Sequence, residues 1–330
     1  LVATKKERGR GSFLGLAVGD ALGSPTEGKT PSEIFTKWGR VTDFLTPEQG
    51  GSDDTEYALF SAKLLTEKKE KLTAEDVAAA WRRDIITGQP SYKGAGFSEI
   101  IAMQNLLKGL NPPESGRHLH SWSDGLAMRA APFGIAAAGN PALAARLAAI
   151  DGSISHSGEG IYSGMAVAAA VASAMNGDDV KKIFSAALSV IPNDSWTFSA
   201  INTGIEIGEN SSDAWSVLER LHAEIACNYY FWTDLGPEAL GLAFGLIAAA
   251  KGDFAETVTA AVNIGRDTDT IAAIAGAVCG AMAGINGIPQ KWISRITVSR
   301  GICIRAVKGM NIMDMADELS ELNLHEGGNL

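Results

Sequence analysis

Cysteine is scarce in this chain of 330 residues: Cys227, Cys279 and Cys303 are the only three, and their spacing matches no metal motif. That fits a reducing compartment. The five histidines are no better placed, since His118, His120, His222 and His325 make no ligand spacing with His156. A zinc site is therefore unsupported. Positive charge is in deficit, with 28 Lys+Arg against 38 Asp+Glu and a net charge of −10. This argues against a nucleic-acid binder that works by neutralising phosphates. A small phosphorylated ligand stays open, because a bound metal reverses the local field. Long hydrophobic runs are missing too; Ala166–Ala174 and Ala239–Ala250 are too short and too interrupted to span a bilayer. Residues 1–10 are basic and polar and lead into only a short apolar stretch, which is no signal-peptide pattern. Period-two strand patterns are nearly absent, and no Pro/Ser-rich linker or charge block divides the chain. A soluble, cytoplasmic protein without membrane or nucleic-acid partners is expected.

What fills the sequence is alanine, with 37 glycines and a recurring helical period. The pattern predicts helices near Gly11–Leu22, Thr55–Thr66, Ala74–Thr87, Glu99–Lys108, Leu126–Ala138, Pro141–Asp151, Gly158–Met175 and Asp178–Val190. It continues through Ser195–Gly208, Asp213–Ala226, Pro237–Ala250, Phe254–Ile264, Thr268–Ala283, Gln290–Ile296 and Val298–Met310. Thr73, Asp178 and Asp213 stand where N-caps belong. Glycines at 15, 19 and 23 recur every four residues and build a small face suited to close helix packing. One all-α domain is expected over residues 11–310, with tails at 1–10 and 311–330.

Four polar segments interrupt this background. In the first, Asp20 and Glu27 fall at or just past the end of the glycine-faced helix, where a carboxylate is disfavoured unless a donor or cation is near. In the second, Ser52, Asp53 and Asp54 open a helix, as an ordinary cap does. In the third, Asp267-Thr268-Asp269-Thr270 opens another helix. A cap needs one such residue, not four. Their hard oxygens suit Mg²⁺ or Mn²⁺ and not Zn²⁺, and two oxygen-rich helix mouths suffice to clamp one ion or a pair. The fourth, Ser155-His156-Ser157, stands at a helix start among possible anion donors, although a lone histidine is more often structural. A softer signal is Ser121-Trp122 before Asp124-Gly125 and Met128, where a ring beside free N–H groups suits a base and its phosphates.

Taken in order, the runs Gly-Leu-Ala-Val-Gly-Asp-Ala-Leu-Gly (15–23), Ser-Asp-Asp-Thr (52–55), Gly-Leu-Ala-Met-Arg (125–129), Ser-His-Ser (155–157) and Gly-Arg-Asp-Thr-Asp-Thr (265–270) resemble the ADP-ribosylglycohydrolase family. The resemblance covers roughly residues 11–296. It implies a compact all-α orthogonal bundle whose cleft holds two Mg²⁺ ions, or Mn²⁺. Ser52, Asp53, Asp54, Asp267, Asp269 and Thr270 would be the ligands, and Glu27, Asp53 and Asp269 the catalytic residues. Ser121, Trp122, Asp124, Gly125, Met128 and His156 would contact the substrate, with Trp122 against adenine and His156 beside ribose or pyrophosphate.

The reaction so implied is hydrolysis of an N- or O-glycosidic bond at the anomeric carbon of an ADP-ribosyl group, on a small molecule or a protein. Many relatives carry Asn-Gly where this chain has Asp124-Gly125. A carboxylate there would repel a pyrophosphate, which keeps a second reading open: a hydrolase of another riboside, such as a nucleoside. A third reading, a non-catalytic ADP-ribose-binding or crystallin-like protein, is opposed by the intact metal residues. The aromatic run Tyr229–Trp232 before Asp234 is a candidate rim, or simply loop packing.

Overall fold

The computed structural model describes residues 2–87, 94–322 and 324. Among them are seventeen α-helices, and the only β pairing is three isolated bridges. The first nine are α1 (Lys5–Gly23), α2 (Pro31–Trp38), α3 (Asp53–Lys68), α4 (Ala74–Ala80), α5 (Phe97–Leu107), α6 (Gly125–Met128), α7 (Ala131–Ala136), α8 (Pro141–Gly152) and α9 (Glu159–Met175). The remainder are α10 (Val180–Ser189), α11 (Trp196–Glu209), α12 (Leu218–Ile225), α13 (Gly236–Ala249), α14 (Phe254–Asn263), α15 (Thr268–Ala283), α16 (Gln290–Ile293) and α17 (Ile312–Glu321). The all-α expectation holds. None of the described helices is long and apolar enough to cross a membrane.

The centre of the molecule is the antiparallel pair α1 and α15, each buried over nearly its whole circumference. A helix that is apolar all round belongs in a core. Glycines make the close approach possible. A Cβ on Gly15 would lie 2.2 Å from the carbonyl oxygen of Gly276, and one on Gly19 would lie 2.1 Å from that of Ala272. The small face read from positions 15, 19 and 23 is thus a backbone-to-backbone seam. Because the pair runs antiparallel, the C-terminal end of α1 and the N-terminal end of α15 meet at one end of the bundle, and the site forms there.

Several boundaries differ from the sequence expectation. Residues 298–310 form no α-helix, only a 3-10 turn at Arg305–Val307. The buried Glu56 carboxylate accepts the backbone N–H groups of Ile302, Cys303 and Ile304 at 2.7–2.8 Å, which takes those donors out of any helical ladder. Gly301 turns the chain there with φ +65°. Helix α2 went unanticipated, although Thr30 and Glu33 form a capping box around Pro31. The helix expected from Asp213 starts only at Leu218, because Asp213 caps a separate turn through the N–H groups of Trp215 and Ser216. The cap of α10 is Asp179 rather than Asp178. Neither end is simply a tail. Helix α1 starts at Lys5 inside a Thr4–Glu7 capping box, and α17 packs on α1 with Ala316 and Leu319 buried and Arg10 bidentate to Asp317. The rest of the expected tails, residues 1, 323 and 325–330, lie outside the described residues, as does His325.

Candidate active site

Asp20 organises the site from below. Fully buried in the last turn of α1, it accepts the N–H of Ser52 at 2.7 Å, the Ser52 hydroxyl at 2.6 Å, the N–H of Thr55 at 3.1 Å and the Thr55 hydroxyl. These are the donors found near the carboxylate that a helix C-terminus alone would disfavour. The first turn of α3 is therefore capped by another helix, as its positive dipole end favours. With the capping done by Asp20, Asp53 and Asp54 are free to face the cleft.

The second wall comes from the two chain segments that follow α1 and precede α15. Gly28 N–H donates to the Arg266 carbonyl, and Arg266 N–H donates to the Lys29 carbonyl, both at 2.9 Å. This bridge needs Gly265 at φ +79°, where a Cβ would come within 2.7 Å of the Lys29 oxygen. Thr26 donates to the Val262 carbonyl and lies 2.9 Å from the Thr268 hydroxyl, which locks the two segments together. Glu27 is thereby laid against Asp267 and Asp269: one carboxylate oxygen from each lies within 4.8 Å of the others. Thr270 donates its hydroxyl to Asp54 Oδ1 at 3.3 Å, so the α3 and α15 mouths also touch.

The resulting cleft, about 270 Å³, is lined by Glu27, Asp53, Asp54, Asp124, Asp234, Asp267 and Asp269, with Gly125, Met128, Thr233 and Thr270 beside them. Among the described residues, none that lines it is a lysine or arginine. Such crowding pushes the carboxyls upward. Burial and the charge of Asp20 raise Asp53 to about 7. Burial raises Asp54, Asp267 and Asp269 well above the usual carboxylate range, with neighbouring carboxylates adding to it. Burial, then Asp234, does the same to Asp124. The Oδ2 atoms of Asp54 and Asp124 are buried and have no hydrogen-bond partner among the described residues. Unpaired, buried oxygen acceptors converging in this way are what a hard divalent cation satisfies. The donor set, oxygen only, fits Mg²⁺ or Mn²⁺ and gives zinc no nitrogen or sulfur.

A match to the ADP-ribosylglycohydrolase family covers residues 1–327. The chain belongs to that family. An uncharacterised protein of Archaeoglobus fulgidus is 33% identical over 299 residues, covering 87% of this chain and 91% of the relative. An ADP-ribosylarginine hydrolase of Pseudomonas putida is 24% identical, covering 96% and 81% respectively. Among solved structures, a chain described as an ADP-ribosylglycohydrolase-related protein complex shares the fold, with a TM-score of 0.70 at 23% identity, over 97% of this chain and 99% of that one.

In this family member the expected site residues separate into two groups. Glu27, Asp53, Asp54, Asp124, Gly125, Met128, Asp267, Asp269 and Thr270 all line one cleft. Ser52, Ser121, Trp122 and His156 do not. The Ser52 hydroxyl donates to Asp20, which leaves its lone pairs free as acceptors. Ser121 bonds the Ser157 hydroxyl at 2.6 Å. Trp122 is half-buried in an aromatic group, 5.3 Å from Phe97 and 5.1 Å from Tyr230. His156 is buried between the hydroxyls of Ser155 and Ser123, and burial lowers its pKa to about 4, so it is neutral.

Two features escaped the sequence reading. Asp234 lines the cleft and accepts the Phe97 N–H at 3.2 Å; its place after an aromatic run was the available signal. Beneath the cleft, buried Arg129 joins Glu99 at 2.7 Å to Asp151 at 2.8 Å and donates to the Gly125 carbonyl. Nothing local in sequence pairs residues 22 to 30 positions apart.

Proposed function

We propose that this protein is a divalent-cation-dependent hydrolase that cleaves the glycosidic bond at the anomeric carbon of an ADP-ribosyl group. The observation that carries this reading is the convergence of the Glu27, Asp267 and Asp269 carboxylates beside Asp53, Asp54 and Thr270, in a cleft that no cationic side chain lines among the described residues. Those six residues, with the acceptor side of Ser52, are the ones that would hold two Mg²⁺ ions, or Mn²⁺. When bound there, the ions supply positive charge for ribose hydroxyls and for an attacking water.

The chain's own groups do the rest. Asp20 holds the α3 mouth so that Asp53 and Asp54 present their oxygens together. One carboxylate, with Glu27 and Asp53 on the cleft wall as the candidates, takes a proton from water as its oxygen bonds to the anomeric carbon. The bond to the leaving nitrogen or oxygen breaks, that atom receives the proton the carboxylate took, and the ribose keeps the new hydroxyl. The Arg129–Glu99 network supports the turn that carries Asp124 and Gly125. The Pseudomonas putida relative is an ADP-ribosylarginine hydrolase, which makes arginine one leaving group to test.

A specific observation favours a second reading. Asp124 is buried in the cleft and, among the described residues, no basic side chain lines it, so those residues offer a pyrophosphate no cationic partner. A simpler riboside, such as a nucleoside, avoids that repulsion. Calorimetric titration of ADP-ribose and of ribose into Mg²⁺-loaded protein separates the two, with a metal-free control. Metal-dependent binding of ADP-ribose alone supports the first reading. Equal binding of both transfers the assignment to the simpler riboside.

A further inference from the structure

A second cavity, of about 600 Å³, lies behind the carboxylate cleft, and its walls include Thr30, Phe35, Arg40, Trp215, His222 and Asn263. That volume falls within the range of small-molecule sites. Its chemistry is the reverse of the cleft's. The Arg40 guanidinium lies 4.9 Å from the Trp215 ring centroid; its charge helps to lower the Asp213 carboxyl, but among the described residues no carboxylate comes within ion-pair distance of it. Two more cations sit on the same segment, Lys37 at 4.2 Å and Lys29 at 5.8 Å from the Trp38 ring. Lys29, Lys37 and Trp38 lie outside the cavity's lining, so the cation on its wall is Arg40. Phe35 exposes 65% of its surface beside it.

The polar groups narrow the class of ligand. His222 Nδ1 lies 2.9 Å from the Ile264 carbonyl oxygen. A carbonyl only accepts, so Nδ1 carries the proton and Nε2 is left as an acceptor for a ligand N–H or O–H. Glu219, also on the wall, disfavours a ligand that is anionic throughout, so the negative charge belongs at the Arg40 end. A flat ring suits Trp215 and Phe35, whose faces and the Arg40 cation favour stacking.

The inner wall is shared with the active site. Asn263 holds Val41 by accepting its N–H at 3.0 Å and donating to its carbonyl at 2.8 Å, and His222 holds Ile264. The same two segments then pair through Gly28, Lys29 and Arg266, and they carry Glu27 and Asp267 into the cleft.

We propose that this cavity binds a planar heteroaromatic anion of nucleoside-monophosphate size, and that its occupancy changes the cation affinity of the carboxylate cleft. The second half rests on the cation reading given above. The test uses adenosine monophosphate as probe, followed by tryptophan fluorescence in EDTA. Wild type is compared with Arg40→Gln and with Trp122→Ala, because the cleft rim also carries aromatic rings. Mn²⁺ is then titrated calorimetrically with and without saturating probe. The site predicts saturable quenching that Arg40→Gln weakens about tenfold and Trp122→Ala leaves unchanged, with a shift of about fivefold in Mn²⁺ affinity. Absence of saturable quenching, or quenching lost in Trp122→Ala but kept in Arg40→Gln, overturns the site. Arg40-dependent binding with an unaltered Mn²⁺ affinity overturns the coupling. If Mn²⁺ does not bind even without probe, the cation reading itself fails, while Arg40-dependent quenching still establishes the site.

Discussion

Substituting Gly19 by alanine tests whether the α1–α15 seam sets the geometry of the site. The new Cβ would lie 2.1 Å from the Ala272 carbonyl oxygen and 2.4 Å from its carbon, whereas real Cβ atoms essentially never come within 3.0 Å of a heavy atom. The helices must part by about 0.9 Å at that level, since a main-chain carbonyl has no rotamer to escape into. Overpacking of this kind costs ~1–3 kcal/mol, and a backbone obstacle belongs at the upper end. Alanine's better helix propensity offsets ~1 kcal/mol, so the net loss expected is ~2 kcal/mol. Urea denaturation measures it. Gly50→Ala is the control, because its Cβ would meet only the flexible Arg300 side chain, with a cost of ~0.5 kcal/mol or less. Trimming the neighbour with Ala272→Gly should give no rescue, because the clash is with the Ala272 backbone. Divalent-ion affinity should fall as well, since the seam ends at Asp20 on one helix and Asp269 on the other. A loss below ~0.5 kcal/mol, or rescue by Ala272→Gly, would refute the reasoning.

Glu238→Ala leaves the buried Arg266 without its carboxylate, which it contacts at 2.6 Å, and frees the Cys227 N–H that Glu238 also accepts. Removing one partner of a buried pair predicts a loss of ~3–5 kcal/mol in urea denaturation, and a loss under ~1 kcal/mol contradicts the pairing. The pH response of the metal-free protein follows from Asp53, raised from 3.8 to about 7 by burial and by Asp20. The folded state then holds a proton that the unfolded chain releases, so this group's contribution to stability declines as pH rises from about 4 to about 7. His156, lowered from 6.5 to about 4 by burial, has the opposite slope over part of that window, so wild type is compared with Asp53→Asn, which keeps it. In EDTA, the stability of wild type relative to Asp53→Asn should fall between pH 5 and pH 7. A rise would contradict the assignment.

How much of this was legible in the sequence depends on how local each signal was. The helix mouths at 52–55 and 267–270 stood out because four polar residues crowd positions where one cap suffices, and they do meet, at Asp54 and Thr270. The glycine face of α1 was visible in its spacing, but its partner on α15 was not. The stretch 298–310 misled because helical charge spacing says nothing of Glu56, almost 250 residues away, which takes its N–H groups. Asp20 was visible as a carboxylate in an unfavourable place, and only the fold supplied the Ser52 and Thr55 donors that make it favourable. His156 drew attention as a histidine among serines, and the structure places it within a buried network of Ser155, Ser123 and Glu99, which includes only one of its flanking serines.

The central claim is that the carboxylate cluster holds divalent cations required to hydrolyse an ADP-ribosyl linkage. The most direct measurement is release of free ADP-ribose from an ADP-ribosylated arginine peptide by wild type and by Asp269→Asn, in EDTA and after Mg²⁺ is restored. Turnover by wild type that vanishes in EDTA, returns with Mg²⁺ and is absent from folded Asp269→Asn at every Mg²⁺ concentration is the predicted result. Turnover that persists in EDTA, or in Asp269→Asn, would contradict it.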